Sequence, residues 1–288
     1  MEFNDLLQKH QIDPTRVVVL RHRPNEPELN KWLPWLAEER HDLYNAYQQT
    51  QAKKEEKMFQ SVDYVASFIR YQPKRALFVG LYSVAGSRST TREEFWKMPA
   101  HVEMKKFGMK GIDANRDTCL CFDLVRTDFF ADWKGKLVIE WKTELVWCRR
   151  AHSSPFSINA VLEESALVPK IPEWDRMVLK WDELDLIPTA WKKELARWRG
   201  IYHIFDESSG KSYVGSAYGN DNLLGRWRNY KSSGHGGNVL LKKRDPKNFS
   251  FSILQLVAPN MEQKEIVSLE ANWKERLHTR APNGLNDN

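Results

Sequence analysis

Two tyrosines and a glycine within residues 200–217 form the first group in the sequence that could do chemistry. This segment predicts a β-hairpin, because two short apolar runs are joined by a polar turn that ends at Gly210. Side chains alternate between the two faces of a strand, so Tyr213 and Gly215 share a face. If Tyr202 lies across from Tyr213, two phenols stand beside a residue without a side chain, and the gap could admit a phosphate. The alternative is that both tyrosines are ordinary aromatic residues of the core.

An arginine and a glutamate follow this hairpin on separate predicted helices. Arg226 lies at the flank of an apolar helical face, and Glu270 lies beside the apolar stripe of the last helix. A carboxylate at the margin of such a stripe is usually just solvated. The predicted elements are a helix capped by Asp221, a short basic helix at Asn238–Arg244, a strand at Phe249–Val257 and a helix at Glu262–Leu277.

The composition is that of a globular protein with a basic carboxyl-terminal end. The 288 residues are 41% apolar and 28% charged, enough for two domains with buried cores. No stretch approaches eighteen uncharged apolar residues, so we expect no membrane span and no secretory signal. Residues 191–288 contain 16 Lys and Arg against 10 Asp and Glu, whereas the preceding residues contain 28 of each. A basic excess in one segment suggests a polyanionic partner, although it can arise by chance.

The three cysteines, Cys119, Cys121 and Cys148, form neither an even disulfide framework nor the paired spacing of a zinc site. We therefore expect structural thiols. A reducing, cytoplasmic location follows as an expectation.

Residues 1–165 predict an α+β domain with a mixed, barrel-like sheet. Its expected elements are helices at residues 1–10 and Pro27–Gln51 and strands at Arg16–Arg21, Ala76–Val84, Cys119–Val125, Leu137–Trp141 and Leu145–Cys148. The aromatic residues of this domain either belong to its core or line a pocket for a flipped base; the candidates are Tyr82, Trp96, Phe107 and Trp133. The run ALFVGLYSV bears a faint resemblance to PUA-like barrels that recognise modified bases.

Residues 166–196 predict a linker. Three prolines, Pro169, Pro172 and Pro188, interrupt this segment, and it shows no strand-like alternation. We expect it to end in a helix at Thr189–Trp198 with Thr189 as the N-cap.

Residues 197–288 resemble the GIY-YIG nuclease family. The resemblance rests on five elements in the family's order: Gly200-Ile201-Tyr202, Tyr213-Val214-Gly215 with Val in place of Ile, Arg226, Glu270 and Asn286. It implies a three-stranded antiparallel sheet flanked by helices, and hydrolysis of a phosphodiester with one Mg²⁺ or Mn²⁺ per site.

The resemblance also implies roles for individual residues. Glu270 would bind the metal, and Arg226 would hold the non-bridging phosphate oxygens in its planar fork. Tyr202 is the expected general base, which requires its pKa to fall from about 10 toward neutrality. Lys211 and the metal are the cations that could lower this pKa, and His235 could instead relay the proton.

Further residues are expected to support the site or to bind DNA. Tyr213 would orient the water or the phosphate, Tyr230 would touch the phosphate, and Asn286 would hold the site together by hydrogen bonds. The triplet glycines Gly200 and Gly215 belong to the same site. The predicted DNA-binding residues are Arg228, Lys242, Lys243 and Arg244.

The sequence as a whole predicts a two-domain endonuclease for double-stranded DNA. Restriction or another bacterial defence is the expected setting, with modified cytosine in the target as one option. A site with one metal would need two copies for double-strand cleavage, so we expect a homodimer on DNA. The alternatives are a repair or homing endonuclease and a nucleic-acid-binding protein that has lost activity.

Overall fold

The computed structural model describes residues 1–143 and 145–287, which divide into two compact units. The first unit spans Met1–Pro169 and the second begins at Lys170. Each contains a sheet and several helices, which confirms the predicted α+β class. In the described ranges, no helix has the length and apolar character needed to cross a membrane.

The first unit contains a seven-stranded mixed sheet and short helices. Its helices are α1 (Phe3–Lys9), α2 (Pro27–Glu39), α3 (His41–Gln48), α4 (Lys53–Phe59), α5 (Arg92–Phe95) and α6 (Pro99–Met104). Its strands are β1 (Val17–His22), β2 (Tyr64–Arg70), β3 (Arg75–Thr91), β4 (Thr118–Arg126), β5 (Leu137–Glu140), β6 (Cys148–Arg150) and β7 (Ile158–Val161). The strand predicted at Leu145–Cys148 instead begins at Cys148, as β6.

The sheet order is β6-β1-β2-β3-β5-β7, with β4 paired to the second half of β3. Strands β1 and β2 are parallel, and the other pairs are antiparallel. Strands β6 and β7 are the two ends of this order. A pairing between them, which would close the sheet into a barrel, is not among the pairings of the described residues. Strand β3 is longer than predicted, because its polar second half (SRSTT) pairs with β4 although it lacks an apolar pattern.

The predicted long helix at Pro27–Gln51 is divided at Arg40. The backbone of this residue is not helical (φ −134°, ψ 64°), and α3 begins immediately after it. The Arg40 guanidinium donates to the carboxylates of Asp42 and Glu103. These bonds join the break to α3 and α6, and helical periodicity alone does not reveal them.

The aromatic residues proposed for a base pocket pack against protein neighbours instead. Tyr82 and Phe107 are buried in the core. The ring of Trp133 lies 4.4 Å from that of Phe130, and the ring of Trp96 lies 4.8 Å from that of Phe95. Tyr82 and Phe107 are therefore excluded as surfaces on which a base could stack, whereas Trp96 and Trp133 are half-buried and their role stays a prediction.

The second unit contains a four-stranded antiparallel sheet with the order β10-β9-β11-β8. Its strands are β8 (Val178–Lys180), β9 (Gly200–Asp206), β10 (Lys211–Ala217) and β11 (Phe249–Leu256). Its helices are α7 (Thr189–Arg197), α8 (Asn222–Ser233) and α9 (Gln263–Arg276). The predicted basic helix at Asn238–Arg244 is reduced to one 3₁₀ turn, Leu241–Lys243.

The segment predicted as a linker belongs to this second unit. It contributes β8, the fourth strand that the three-stranded prediction lacked. Trp181 and Leu184, in the 3₁₀ turns after β8, are buried in the core of the unit. The N-cap of α7 is Pro188 rather than Thr189. Three-residue strands and 3₁₀ turns are too short to show periodicity, so the prolines alone dominate the sequence pattern.

The two faces of this sheet pack against different helices. The face that carries Tyr202, Ile204 and Tyr213 packs against the buried residues of α8, including Trp227 and Tyr230. The opposite face carries Ile201 and Val214, which pack against Ile266 of α9, with Leu269 and Trp273 beside it. Leu277, predicted as the last residue of this helix, follows the end of α9 and is 40% exposed.

Candidate functional site

The β9–β10 register places Tyr202 directly opposite Gly215 and Tyr213 opposite Ile204. The two tyrosines are therefore diagonal neighbours on one face, with ring centroids 6.4 Å apart. A Cβ added to Gly215 would lie 2.6 Å from Cζ of Tyr202 and 2.9 Å from a ring carbon of Tyr213. The Tyr202 phenol thus fills the space that the sequence suggested for a phosphate, and this part of the prediction is wrong.

Gly215 is required by this close approach, and its replacement is a test. We expect Gly215→Ala to lower the free energy of unfolding by ~1–3 kcal/mol, because the phenol is fixed by hydrogen bonds and cannot move aside cheaply. Chemical denaturation measures the change. The matched control is Gly219→Ala, since an added Cβ there has no neighbour within 4 Å. Equal stability of the two variants would contradict the packing described here.

Tyr202, Tyr230 and Arg226 form a bonded cluster between the sheet and α8. The Tyr202 hydroxyl lies 3.0 Å from that of Tyr230, and it accepts a hydrogen bond from Arg226 Nη2 at 3.2 Å. Both tyrosines are fully buried, whereas Arg226 is half-buried. The Gly236 backbone packs against the Tyr230 ring, where an added Cβ would lie 2.7 Å from ring carbons. The cluster therefore holds one cationic group at the margin of an apolar core.

The protein around Tyr202 favours the protonated form of its phenol. Burial raises its pKa, and the positive charge of Arg226 opposes this rise without reversing it. The ammonium of Lys211 donates to the Pro282 carbonyl at 2.7 Å. His235 Nδ1 accepts from the Gly237 backbone N–H at 2.9 Å. In the described residues, neither Lys211 nor His235 bonds to Tyr202, and the predicted fall in its pKa is not produced by the protein.

Asn286 completes the outer edge of β10. Its side-chain oxygen accepts from the Val214 backbone N–H at 2.9 Å, and its amide donates to the Val214 carbonyl at 2.8 Å. The Leu285 N–H donates to the Ser212 carbonyl. One buried amide thus pairs both main-chain groups of the residue between Tyr213 and Gly215, and so fixes the position of the hairpin edge.

Glu270 lies on the other face of the sheet from the tyrosine cluster. One of its oxygens accepts a hydrogen bond from the Ser216 hydroxyl, and the other lies 2.8 Å from Nζ of Lys274. Ser216 is the residue after Gly215 on the edge strand, so the acid and the tyrosines meet the same stretch of β10 from opposite faces. Sequence reasoning missed Ser216 and Lys274. The spacing of four between Glu270 and Lys274 was the available signal.

Residues 199–286 match the GIY-YIG catalytic domain. The carboxyl-terminal third of the chain is therefore a GIY-YIG domain. No curated protein and no solved structure matches the chain significantly. The domain implies a nuclease, and a nuclease implies a nucleic acid substrate.

The residues around Glu270 in this GIY-YIG domain fit a single hard cation. A carboxylate and the Ser216 hydroxyl are oxygen donors of the kind Mg²⁺ prefers, with water and substrate oxygens completing the set. Within residues 1–143 and 145–287, no group of three or more His, Cys, Asp or Glu residues could hold a metal by itself. Lys274 now neutralises the carboxylate, so a divalent cation would have to displace its ammonium.

The predicted DNA-binding residues of the GIY-YIG domain divide into two groups. Arg244 Nη1 lies 3.8 Å from a carboxylate oxygen of Asp206, which is fully buried, so Arg244 has a structural partner. Arg228 lies 3.5 Å from the exposed Asp221 carboxylate. Lys242 and Lys243 are exposed on the 3₁₀ turn after α8. The side chains of these two lysines are therefore accessible from solvent.

Proposed function

We propose that this protein is a metal-dependent endonuclease that cuts double-stranded DNA. The observation that carries the proposal is the pairing, along one edge strand of a GIY-YIG domain, of a buried Tyr202–Arg226 cluster with a bonded Glu270. A phosphodiester resists attack because its oxygens are already anionic, so its hydrolysis needs both a fixed cation and an activated water. Arg226 can supply the fixed cation, and Glu270 can hold the metal ion that activates the water.

Arg226 is the group proposed to contact the scissile phosphate. It stays charged at every accessible pH, and its planar fork can bond two non-bridging oxygens together. The Tyr202 hydroxyl accepts from one edge of this fork and so fixes its orientation before substrate arrives. Tyr213, on the same face of the sheet, is the residue proposed to orient the phosphate or the water.

Glu270 and Ser216 are the residues proposed to hold one Mg²⁺ or Mn²⁺. A bound divalent ion supplies a more acidic water and offsets phosphate charge. In its absence, Lys274 compensates the carboxylate within the protein, as the 2.8 Å contact indicates. Lys274 is 8% exposed, so this compensating charge lies within the protein rather than on its surface.

Tyr202 is assigned a positioning role in place of the predicted general base. We expect Tyr202→Phe to slow cleavage roughly 10–100-fold, because it removes a hydrogen bond to a charged group and leaves the water untouched. Single-turnover cleavage rates measured across pH test this. The positioning role predicts that the pH profile keeps its shape in the variant. Disappearance of one limb of the profile would instead support Tyr202 as the base.

Lys242 and Lys243 are proposed to bind the DNA backbone, in agreement with the basic excess of residues 191–288. Contacts of this kind are independent of sequence and weaken as salt rises. They can hold a duplex but cannot choose a target. Target choice is therefore assigned to the first unit.

Restriction or another bacterial defence, within the cytoplasm, is the proposed setting. A free-standing nuclease needs a selective partner, and the first unit is covalently attached to this one. The three cysteines are free and buried, and burial raises the pKa of Cys148 to about 12, as suits structural thiols. Two copies on DNA are proposed for double-strand cleavage, because each chain carries one Glu270.

The experiment is cleavage of matched plasmids that carry unmodified cytosine, 5-methylcytosine or 5-hydroxymethylcytosine, with Mg²⁺ and with a chelator. The proposal expects cleavage only with the metal, and a preference among the three plasmids if modification selects the target. Equal cleavage of all three plasmids would exclude a dependence on cytosine modification. Cleavage in the presence of chelator would exclude a requirement for a metal ion. Gel filtration with bound DNA then distinguishes one chain from two.

A further inference from the structure

A cavity of about 600 Å³ lies in the first unit, outside the GIY-YIG domain. Its lining includes the end of β1, the turn that follows and the last turn of α3, together with Trp147. Pockets for small ligands usually measure ~300–1,000 Å³. The cavity is therefore large enough for a heterocycle, and nothing in the proposed nuclease mechanism uses it.

Aromatic side chains form much of its wall. The imidazole of His22 has its centroid 5.0 Å from the ring of Tyr47 and 6.4 Å from the ring of Trp147. Tyr47 and Trp147 are only half-buried, and both line the cavity. Uncovered aromatic surface beside a cavity favours stacking on a planar ring.

Trp147 is held in place by the backbone around it. Its carbonyl accepts from the Arg21 N–H at 2.7 Å. One residue earlier, the Val146 carbonyl accepts from the indole N–H of Trp141, which is fully buried. This wall is ordered before a ligand arrives, so binding does not bear the cost of ordering it.

His22 offers a hydrogen-bonding group at the same place. It is 4% exposed, and its Nε2 has no hydrogen-bond partner in the described part of the chain. Its other bond is to Gln48, which also accepts from the buried Ser67 hydroxyl. Burial lowers the pKa of His22 to about 4, so the ring is neutral near pH 7. A ligand edge that bonds to Nε2 would satisfy a buried polar atom.

The charges of the lining cancel. Arg21 and Arg23 bring two positive charges, and Glu26 and Asp113 bring two negative ones. The formal charges of these four lining residues therefore sum to zero. An uncharged ring can enter the cavity without placing a further charge among them.

An apolar side chain stands at the rim of the cavity. Leu145 is among the lining residues and is 93% exposed, which is unusual for a leucine in a folded domain. Apolar side chains of this kind can wedge into a base stack and occupy the space left when a base is turned out.

We propose that this cavity receives a nucleobase turned out of the DNA duplex. The inference rests on the proposed function, because only a DNA substrate brings such a base to the protein. Tyr47 and Trp147 stack on the base, His22 bonds its edge, and Leu145 fills the gap left in the stack.

The test measures binding of the full-length protein in chelator, where no cleavage is expected. Fluorescence anisotropy compares a fully paired duplex with duplexes that carry one extrahelical base, namely A, G, T, C, 5-methylcytosine or 5-hydroxymethylcytosine. An unpaired base has already lost its pairing energy, so at least one of these duplexes should bind about tenfold more tightly than the paired one. Trp147→Ala should abolish this preference. Tyr47→Leu is the second variant in case Trp147→Ala does not fold.

The matched control is Trp133→Ala, another half-buried tryptophan of this unit that packs against Phe130 and does not line the cavity. The control should keep the preference. Equal binding of all duplexes by the wild type, or a preference that survives in both pocket variants, would overturn the inference. Plasmid cleavage by the same preparations is scored separately. If the protein cleaves plasmid but shows no preference for an extrahelical base, only the nucleobase-binding role of the cavity is rejected. If it shows the preference but does not cleave, only the proposed nuclease activity is rejected.

Discussion

Replacing Glu270 with glutamine should slow DNA cleavage by about 10³-fold or more, since the proposed metal loses its only carboxylate ligand and a bound ion supplies several kcal/mol of the catalytic effect. Glutamine keeps the size of the side chain and can still bond to Ser216, so the fold should be retained. The fold reduction is measured from single-turnover rates on a defined duplex over a range of Mg²⁺ concentrations.

The control for this variant is Glu275→Gln, a change of the same kind on the same helix at an exposed position. It should leave the rate within about twofold of the wild type, because surface charges away from a site have small effects. A Glu270→Gln protein that cleaves at the rate of the control would exclude a metal at this carboxylate.

Arg226→Lys is expected to lower the rate by about 10²–10³-fold, the usual cost of removing one fixed donor from a developing anion. Lysine retains the positive charge, but its ammonium cannot bond two phosphate oxygens in one plane or reach the Tyr202 hydroxyl with the same geometry. The loss should appear in kcat rather than in DNA affinity. Single-turnover rates and binding measured in chelator separate these two quantities.

Arg228→Lys, two residues along the same helix, is the matched control. Arg228 pairs with the exposed Asp221 carboxylate and lies outside the tyrosine cluster. We expect a nearly unchanged cleavage rate and an unchanged salt dependence of binding, because lysine keeps the positive charge at this position. If the two substitutions had equal effects, Arg226 would only contact the DNA backbone and would not be a catalytic residue.

Much of the candidate site was predictable from local patterns. The hairpin follows from two apolar runs around Gly210, and the last helix follows from its apolar stripe, with a capping box between Glu262 and Glu265 at its start. Strand alternation placed Tyr213 and Gly215 on one face. These features depend on neighbours in sequence, and periodicity reports such neighbours directly.

The parts that sequence reasoning missed depend on contacts between distant segments. Ser216 belongs to the candidate site only because α9 brings Glu270, 54 residues later in the chain, into contact with it. The pairing of Asn286 with Val214 joins residues 72 apart. The core position of Trp181 depends on β8 pairing with β11. No local rule predicts that the Tyr202 phenol fills the space above Gly215.

The first unit shows the same limit. Its cavity is lined by His22, Tyr47 and Trp147, which lie on separate elements of the chain. The aromatic candidates chosen from sequence were selected for residue type alone, and packing placed them elsewhere. Which aromatic residues keep an uncovered face is decided by tertiary structure.

The most direct test of the central claim is the conversion of supercoiled plasmid by wild type, Glu270→Gln and Arg226→Lys proteins, purified in parallel and assayed together in Mg²⁺. We expect the wild type to nick or linearise the plasmid and both variants to leave it supercoiled over the same time. Equal conversion by all three preparations would contradict it, because the hydrolysis would then arise from something other than these two side chains.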